Sequence, residues 1–402
     1  MTRTLLTNAR IFDGTGSPLA DGEVVVTGGV IAEVGTGLDG DEAVDLGGRA
    51  LLPGLFDTHV HVAITDVDLF GSAQKPFSLE FYETARNLQA TLAAGITTIR
   101  DAGGADLGTK TALEQGLIAG PRMQISLTML SQTGGHGDGW MASGQTLHLL
   151  QPHPGRPANI VDGRTEMLRK VRELIRAGAD VIKVATSGGV LSPRDDPRHP
   201  HFTLEELEVL VAEAGGAGRW VMAHAQGTEG IKNAVRAGIR SIEHGIYLDD
   251  EAIDLMLEHG TYLVPTLMAP RGVLRAADAG IAIPEASLAK AREVIEVHRD
   301  SFRRAVEAGV KVAMGTDTGV TPHGENLEEL ALMEDGGMSP GDVLVATTRA
   351  AAELMGLEGD SGTIEPGKRA DLVVVDGDPL QLGGIGERIV AVYQQGVLVS
   401  GG

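Results

Sequence analysis

The 402-residue chain contains no cysteine, which excludes disulfides, zinc-thiolate and iron-sulfur sites and thiol catalysis. Any metal must therefore be held by His, by carboxylate or by a lysine-derived group. No apolar run approaches the roughly 18 residues that cross a membrane. Met1 to Phe12 carries Arg3 and polar residues in place of the continuous apolar stretch of an export signal. A cytoplasmic protein with no membrane partner is the expectation. Basic residues are scarce, 33 against 55 acidic ones, for a formal charge of -22. Polyanion binding needs clustered Lys and Arg, so nucleic acid is not an expected partner. No Gly-rich phosphate loop ending in Lys-Ser or Lys-Thr occurs, and nucleotide-dependent chemistry finds no support.

What is present is a recurring punctuation. Ala-Gly followed by a β-branched run occurs at Gly95, Gly178, Gly238 and Gly309, and His259-Gly260 precedes Tyr262 in the same way. A helix that ends on a residue tolerant of the left-handed conformation, followed by a buried parallel strand, reads like this. Amphipathic stretches precede such glycines at Thr165 to Ala177, Leu204 to Ala214 and Pro284 to Glu307, and Thr203 with Glu206 forms a capping-box signature. Candidate strands are Leu55 to Val62, Ile96 to Arg100, Met123 to Thr128, Asp180 to Ala185, Trp220 to His224, Arg240 to His244, Tyr262 to Leu267 and Lys311 to Thr316. Eight strands alternating with helices make an α/β chain whose expected architecture is a (β/α)8 TIM barrel; an open doubly wound sheet is the structural alternative. Short strands at Thr4 to Asn8, Glu23 to Val26, Val30 to Val34, Leu372 to Val375 and Ile389 to Gln394 predict a small β-sandwich domain built from both termini. The expected division is 1–50 with 360–402 for that domain and 51–359 for the barrel.

His59 and His61 lie two apart on the first strand, so both side chains share one face and can share a metal. Lys183 sits in an apolar strand, where an unpaired ammonium costs several kcal/mol. A buried lysine loses its proton readily, and the neutral amine can react with carbon dioxide to give a carbamate that bridges two cations. His224 and His244 end two successive strands, and Asp317 follows the last. Each has a plain alternative as a capping, paired or surface group. Together they fall at the ends of strands one, four, five, six and eight, where barrel enzymes collect catalytic groups. Imidazole plus oxygen suits Zn, Mn, Fe or Co and suits Ca poorly.

Leu52-Pro53-Gly54 through His61, Ile182-Lys183-Val184 with Ser187 to Pro193, and Gly315-Thr316-Asp317 resemble motifs of the amidohydrolase superfamily, in its binuclear subtype with a carboxylated lysine. The closing Gly362 to Leu372 resembles that family's return into its β domain. More narrowly, Thr133 to Asp138 and Glu243-His244-Gly245 resemble the branch that holds Xaa-Pro dipeptidases, imidazolonepropionase-like proteins and ochratoxin-type amidohydrolases. The resemblance implies two divalent metal ions, with zinc the expected metal. His59, His61 and Asp317 would hold one, His224 and His244 the other, and carboxylated Lys183 both. A hydroxide shared by the two would attack an amide carbonyl, with Asp317 as base and then acid.

His136, after strand three, is the candidate donor to the developing oxyanion, against a plain reading as an exposed loop histidine. Where that branch often carries His or Tyr two positions after the fifth-strand His, Gln226 stands here; it cannot titrate but can hydrogen-bond substrate. The long Ser131 to Asn159 connection is expected to shape specificity. Arg194 and Arg198 could receive a substrate carboxylate or simply be solvated. The expected substrate is a small-molecule amide such as a dipeptide or N-acyl amino acid, and superfamily habit implies a homo-oligomer. The competing readings are a mononuclear cyclic-amide hydrolase or amidine deaminase, against which Lys183 argues, and a non-catalytic binding barrel.

Overall fold

The computed structural model describes residues 2–192 and 194–401; Pro193, at the end of the Ser187 to Pro193 segment, lies outside the described residues. The strands are β1 Arg3–Ile11, β2 Ala20–Thr27, β3 Val30–Gly35, β4 Glu42–Asp45 and β5 Ala50–Pro53, then β6 Leu55–Val60, β7 Ile96–Asp101, β8 Arg122–Ile125 and β9 Met129–Leu130. There follow β10 Val181–Ala185, β11 Trp220–Ala225, β12 Ser241–His244, β13 Tyr262–Val264, β14 Leu372–Val375, β15 Ile389–Gln394 and β16 Val397–Gly401. Helices separate most of the central strands, giving a mixed α/β fold.

Strands from both ends of the chain pair in one eight-stranded sheet, in the order β16-β15-β14-β5-β1-β2-β3 with β4 beside β1. Its inward residues, among them Leu6, Val24, Val26, Ile31, Leu51, Leu372 and Val374, pack in a cluster of their own. The sequence did not mark β4, β5 or β16 as strands. The central strands form two parallel sheets, β6-β7-β8 and β13-β12-β11-β10-β9, and their apolar residues join the helices in the largest core.

Local chemistry explains the elements. Helix Arg164–Ala177 buries Met167, Val171 and Leu174 on one stripe and stops at Gly178, whose φ of 101° is left-handed. Helix Leu204–Gly216 begins with the full Thr203–Glu206 capping box. The expected strand Met123 to Thr128 is split into β8 and β9, because Leu127 at φ 69° turns the backbone out of the extended region. Lys311 to Thr316, expected as the eighth strand, forms no continuous ladder. Single bonds join its segment to β13 through Leu263 and to β6 through Thr58, His59 and His61. The Asp57 carboxylate accepts from the Thr316 and His59 amides, and the Thr316 amide is shared between it and the His59 carbonyl. Among the described residues no helix is long and apolar enough to cross a membrane.

Candidate active site

β6 brings His59 to the C-terminal end of the first parallel sheet, and His61 follows one residue past its end. The Nε2 atoms of the two rings lie 3.4 and 3.2 Å from the same atom, Oδ1 of Asp317. Asp317 reaches this point through a left-handed backbone, φ 62°, a conformation that an aspartate adopts more readily than most residues. Lys183, in the middle of β10 and 1% exposed, places Nζ 3.3 Å from His59 Nε2. His224 on β11 and His244 on β12 stand with ring centroids 4.6 Å apart, and His244 is 5.2 Å from His59. Donor atoms of His59, His244 and Asp317 all lie within 4.8 Å of one another. The six residues singled out from strand ends therefore converge on one place.

Each histidine has one ring nitrogen occupied from behind. His59 Nδ1 meets Glu243 Oε2 at 2.7 Å, His61 Nδ1 meets the Gly103 carbonyl at 2.7 Å, His224 Nε2 meets the Gly188 carbonyl at 3.1 Å, and His244 Nδ1 meets Thr266 Oγ1 at 2.7 Å. Carboxylate and carbonyl oxygens can only accept, so in His59, His61 and His224 that nitrogen carries a proton, and in the neutral ring the other bears the lone pair. Second partners of this kind fix the tautomer and raise the basicity of metal-binding histidines.

Burial and charge then set protonation. Burial pushes His224 and His244 well below the usual histidine range, and their neighbouring rings and Lys183 add to the effect. Burial lowers the Lys183 amine to about 8, so a substantial neutral fraction exists near neutral pH. For Asp317 burial works upward, but the His59 and His61 rings, when they carry a proton on Nε2, outweigh it and hold the carboxyl well below its ordinary value. Burial likewise opposes ionisation of Glu243, yet the Arg100 guanidinium at 3.0 Å and the His59 bond bring it down to about 2.

Residues that the sequence reading did not assign complete the support. Arg100 also donates to the Thr58 carbonyl and to Ser241. Asp101 accepts from the amides of Val62, Gly103 and Ala105, shaping the turn that presents Gly103 to His61. Thr266, φ 52°, sits where Glu329 gathers the next two amides, Leu267 and Met268.

On the substrate side, the His136 ring stacks on His224 at 4.2 Å with 17° between planes. Its Nδ1 lies 2.7 Å from Ser192 Oγ, and burial pushes the ring down to about 4. Gln226, 5% exposed, follows His224 by two residues; its Oε1 is buried with no partner. Arg198 is already engaged by Glu293 and Asp196, whereas Arg194 lies over the Trp140 ring of the long loop. Arg156 pins that loop by donating to the Gln151 and Gly104 carbonyls and to Glu80.

The profile of the Amidohydrolase family matches residues 50–401, and the chain belongs to that family, which generally uses divalent metal. It is 35% identical over 401 residues to the ochratoxinase of Aspergillus niger, across 94% of this chain and 82% of that protein. The crystal structure of a Xaa-Pro dipeptidase with bound methionine in its active site matches over 100% of both chains, with a TM-score of 0.90 and 34% identity. A prolidase complexed with N-methylphosphonate-L-proline matches over 99% of each chain, with a TM-score of 0.91 and 36% identity. These relatives fit the branch expected from the motifs, and the protein is a hydrolase acting on carbon-nitrogen bonds.

Proposed function

We propose that the protein cleaves the amide bond of a small molecule, such as a dipeptide or N-acyl amino acid, at two divalent cations, with zinc the expected metal. The observation that carries this reading is the set of four histidines, each with one ring nitrogen held from behind and the other left for a cation. His59, His61 and Asp317 would hold one ion, His224 and His244 the other, and Lys183 both. Bound there, the ions would supply Lewis acidity and a water whose pKa falls to about 7. The donor set fits: two imidazoles, His224 and His244, that burial holds neutral, a carboxylate held ionised, and a buried amine whose pKa burial lowers to about 8.

Lys183 gains its charge by covalent chemistry in this reading. Its neutral Nζ bonds to the carbon of carbon dioxide and releases a proton, leaving a carbamate whose one negative charge is shared by two oxygens. Asp317 Oδ1, between His59 and His61, takes the proton of the attacking water and returns it to the leaving nitrogen as the C–N bond breaks. Gln226 and His136 border the substrate, and the loop pinned by Arg156 shapes the pocket. The architecture belongs to the same reading: the two parallel sheets are arcs of one (β/α)8 barrel closed by residues 311–318, and 1–50 with 360–402 form a β-sandwich domain around 51–359. A cytoplasmic homo-oligomer is its setting.

Metal analysis of protein loaded with zinc tests the site. Two ions per chain are expected, and fewer in Lys183→Ala. If Lys183→Ala retained both ions and full activity, the bridging role would be wrong.

A further inference from the structure

Behind His136 stands a chain of polar groups that the metal site does not use. His136 Nδ1 meets Ser192 Oγ at 2.7 Å, Ser192 Oγ in turn contacts Asp195 Oδ1, and Asp195 Oδ2 lies 3.8 Å from the same His136 nitrogen. Lys290, from helix Glu285–Ala308, braces the turn by donating to the carbonyls of Gly189, Ser192 and Asp195, with its ammonium 3.5 Å from Asp195 Oδ1. The ring has no freedom to turn. His224 stacks on it, and a Cβ at Gly189 would stand 2.2 Å from His136 Cε1.

Counting protons along this chain decides which ring nitrogen is bare. A carboxylate beside an ammonium is ionised and only accepts. The hydroxyl has one proton, and its close contact with Asp195 requires that proton between the two oxygens. The Gly189 carbonyl, 3.3 Å from Ser192 Oγ, is also only an acceptor. Whichever oxygen Ser192 serves, nothing remains for it to give His136, so the ring must donate through Nδ1. Nε2, on the far side of the ring from Ser192, is then a lone pair.

We propose that Ser192 and Asp195, braced by Lys290, are positioning residues that lock His136 as the Nδ1–H tautomer, so that its Nε2 accepts a hydrogen bond from the α-ammonium of a dipeptide and free dipeptides are the preferred substrates over N-acyl amino acids. This replaces the oxyanion donor expected from the motif, and it rests on the amide-hydrolase reading above. A neutral imidazole with a bare Nε2 cannot donate to a carbonyl oxygen. It can receive an ammonium.

Two measurements test this separately. In metal-loaded protein labelled with 15N-histidine, two-bond nitrogen-proton correlation should show His136, identified by its loss in His136→Asn, with Nδ1 protonated and Nε2 bare. Asp195→Asn should reverse the chain: the new amide donates to Ser192, whose hydroxyl turns to Nδ1, and the proton moves to Nε2. Removal of a merely structural contact would not invert the tautomer. A protonated Nε2 in the wild-type protein overturns the proposal, whether or not any variant folds. The second measurement compares Ala-Phe with propionyl-Phe, which lacks only the amino group. A hydrogen bond to a charged donor predicts a preference for Ala-Phe of about 10-fold to 100-fold in kcat/KM, falling toward parity in Asp195→Asn. An unchanged ratio would overturn the substrate half of the proposal. If neither amide were cleaved, the amide reading would fail while the nitrogen spectrum still decided the tautomer.

Discussion

Replacing Arg100 by Met leaves a charge stranded where water cannot reach it. Arg100 is 3% exposed and Glu243 is 0% exposed, and the guanidinium at 3.0 Å is the main influence that keeps this carboxyl ionised against burial. Removing one partner of a buried ion pair costs about 3–5 kcal/mol, whereas removing both together costs much less. Arg100→Met should therefore lower the free energy of urea unfolding at neutral pH by that amount. Adding Glu243→Gln to the same chain should restore more than half of the loss, since the uncompensated charge is then gone. The single variant Glu243→Leu should also weaken metal binding by about 10-fold to 100-fold, because His59 loses the acceptor that fixes its tautomer. The reasoning is refuted if Arg100→Met costs under about 1 kcal/mol, or if the double variant is no more stable than Arg100→Met.

Other consequences follow from single groups. Burial raises Glu329 to about 8 despite the amides of Leu267 and Met268. A folded pKa above the unfolded one means that stability is lost as pH rises from about 4.5 to about 8, by a few kcal/mol in all. Glu329→Gln should remove that slope, which denaturation series at several pH values would read; an unchanged slope contradicts the assignment. Gln226→Leu takes away a buried acceptor without a partner, so stability should change by under about 1 kcal/mol while kcat/KM falls about tenfold. A loss of several kcal/mol with unchanged kinetics would make Gln226 a structural residue. Asp317→Asn should reduce kcat by at least about 100-fold with the fold intact by circular dichroism; retention of turnover removes Asp317 from the proton path.

The six converging residues were legible because strand ends are a periodic signal. His59 and His61 share a face by the two-residue repeat, and His224, His244 and Asp317 each close an apolar run. Their partners were not legible in the same way. Glu243 precedes His244 and Arg100 ends an apolar strand, yet neither position says that the two meet across 143 residues. A charged residue inside each of two buried strands was the available sign, as it was for Lys183. Asp57 shows how a side chain can intrude on backbone pairing: its carboxylate accepts from the Thr316 and His59 amides where the expected eighth strand meets β6 in isolated bonds. The His136 tautomer depends on Ser192 and Asp195, 56 and 59 residues away, and no spacing rule reaches that far.

The most direct test of the central claim is mass-spectrometric analysis of metal-loaded protein incubated with dipeptides ending in Pro, Arg or Phe and with N-acyl aromatic amino acids. The account predicts release of free amino acid, its loss on treatment with a chelator, and its return when zinc is added back. Hydrolysis that survives complete metal removal, or no hydrolysis of any member by protein carrying two ions per chain, would contradict it.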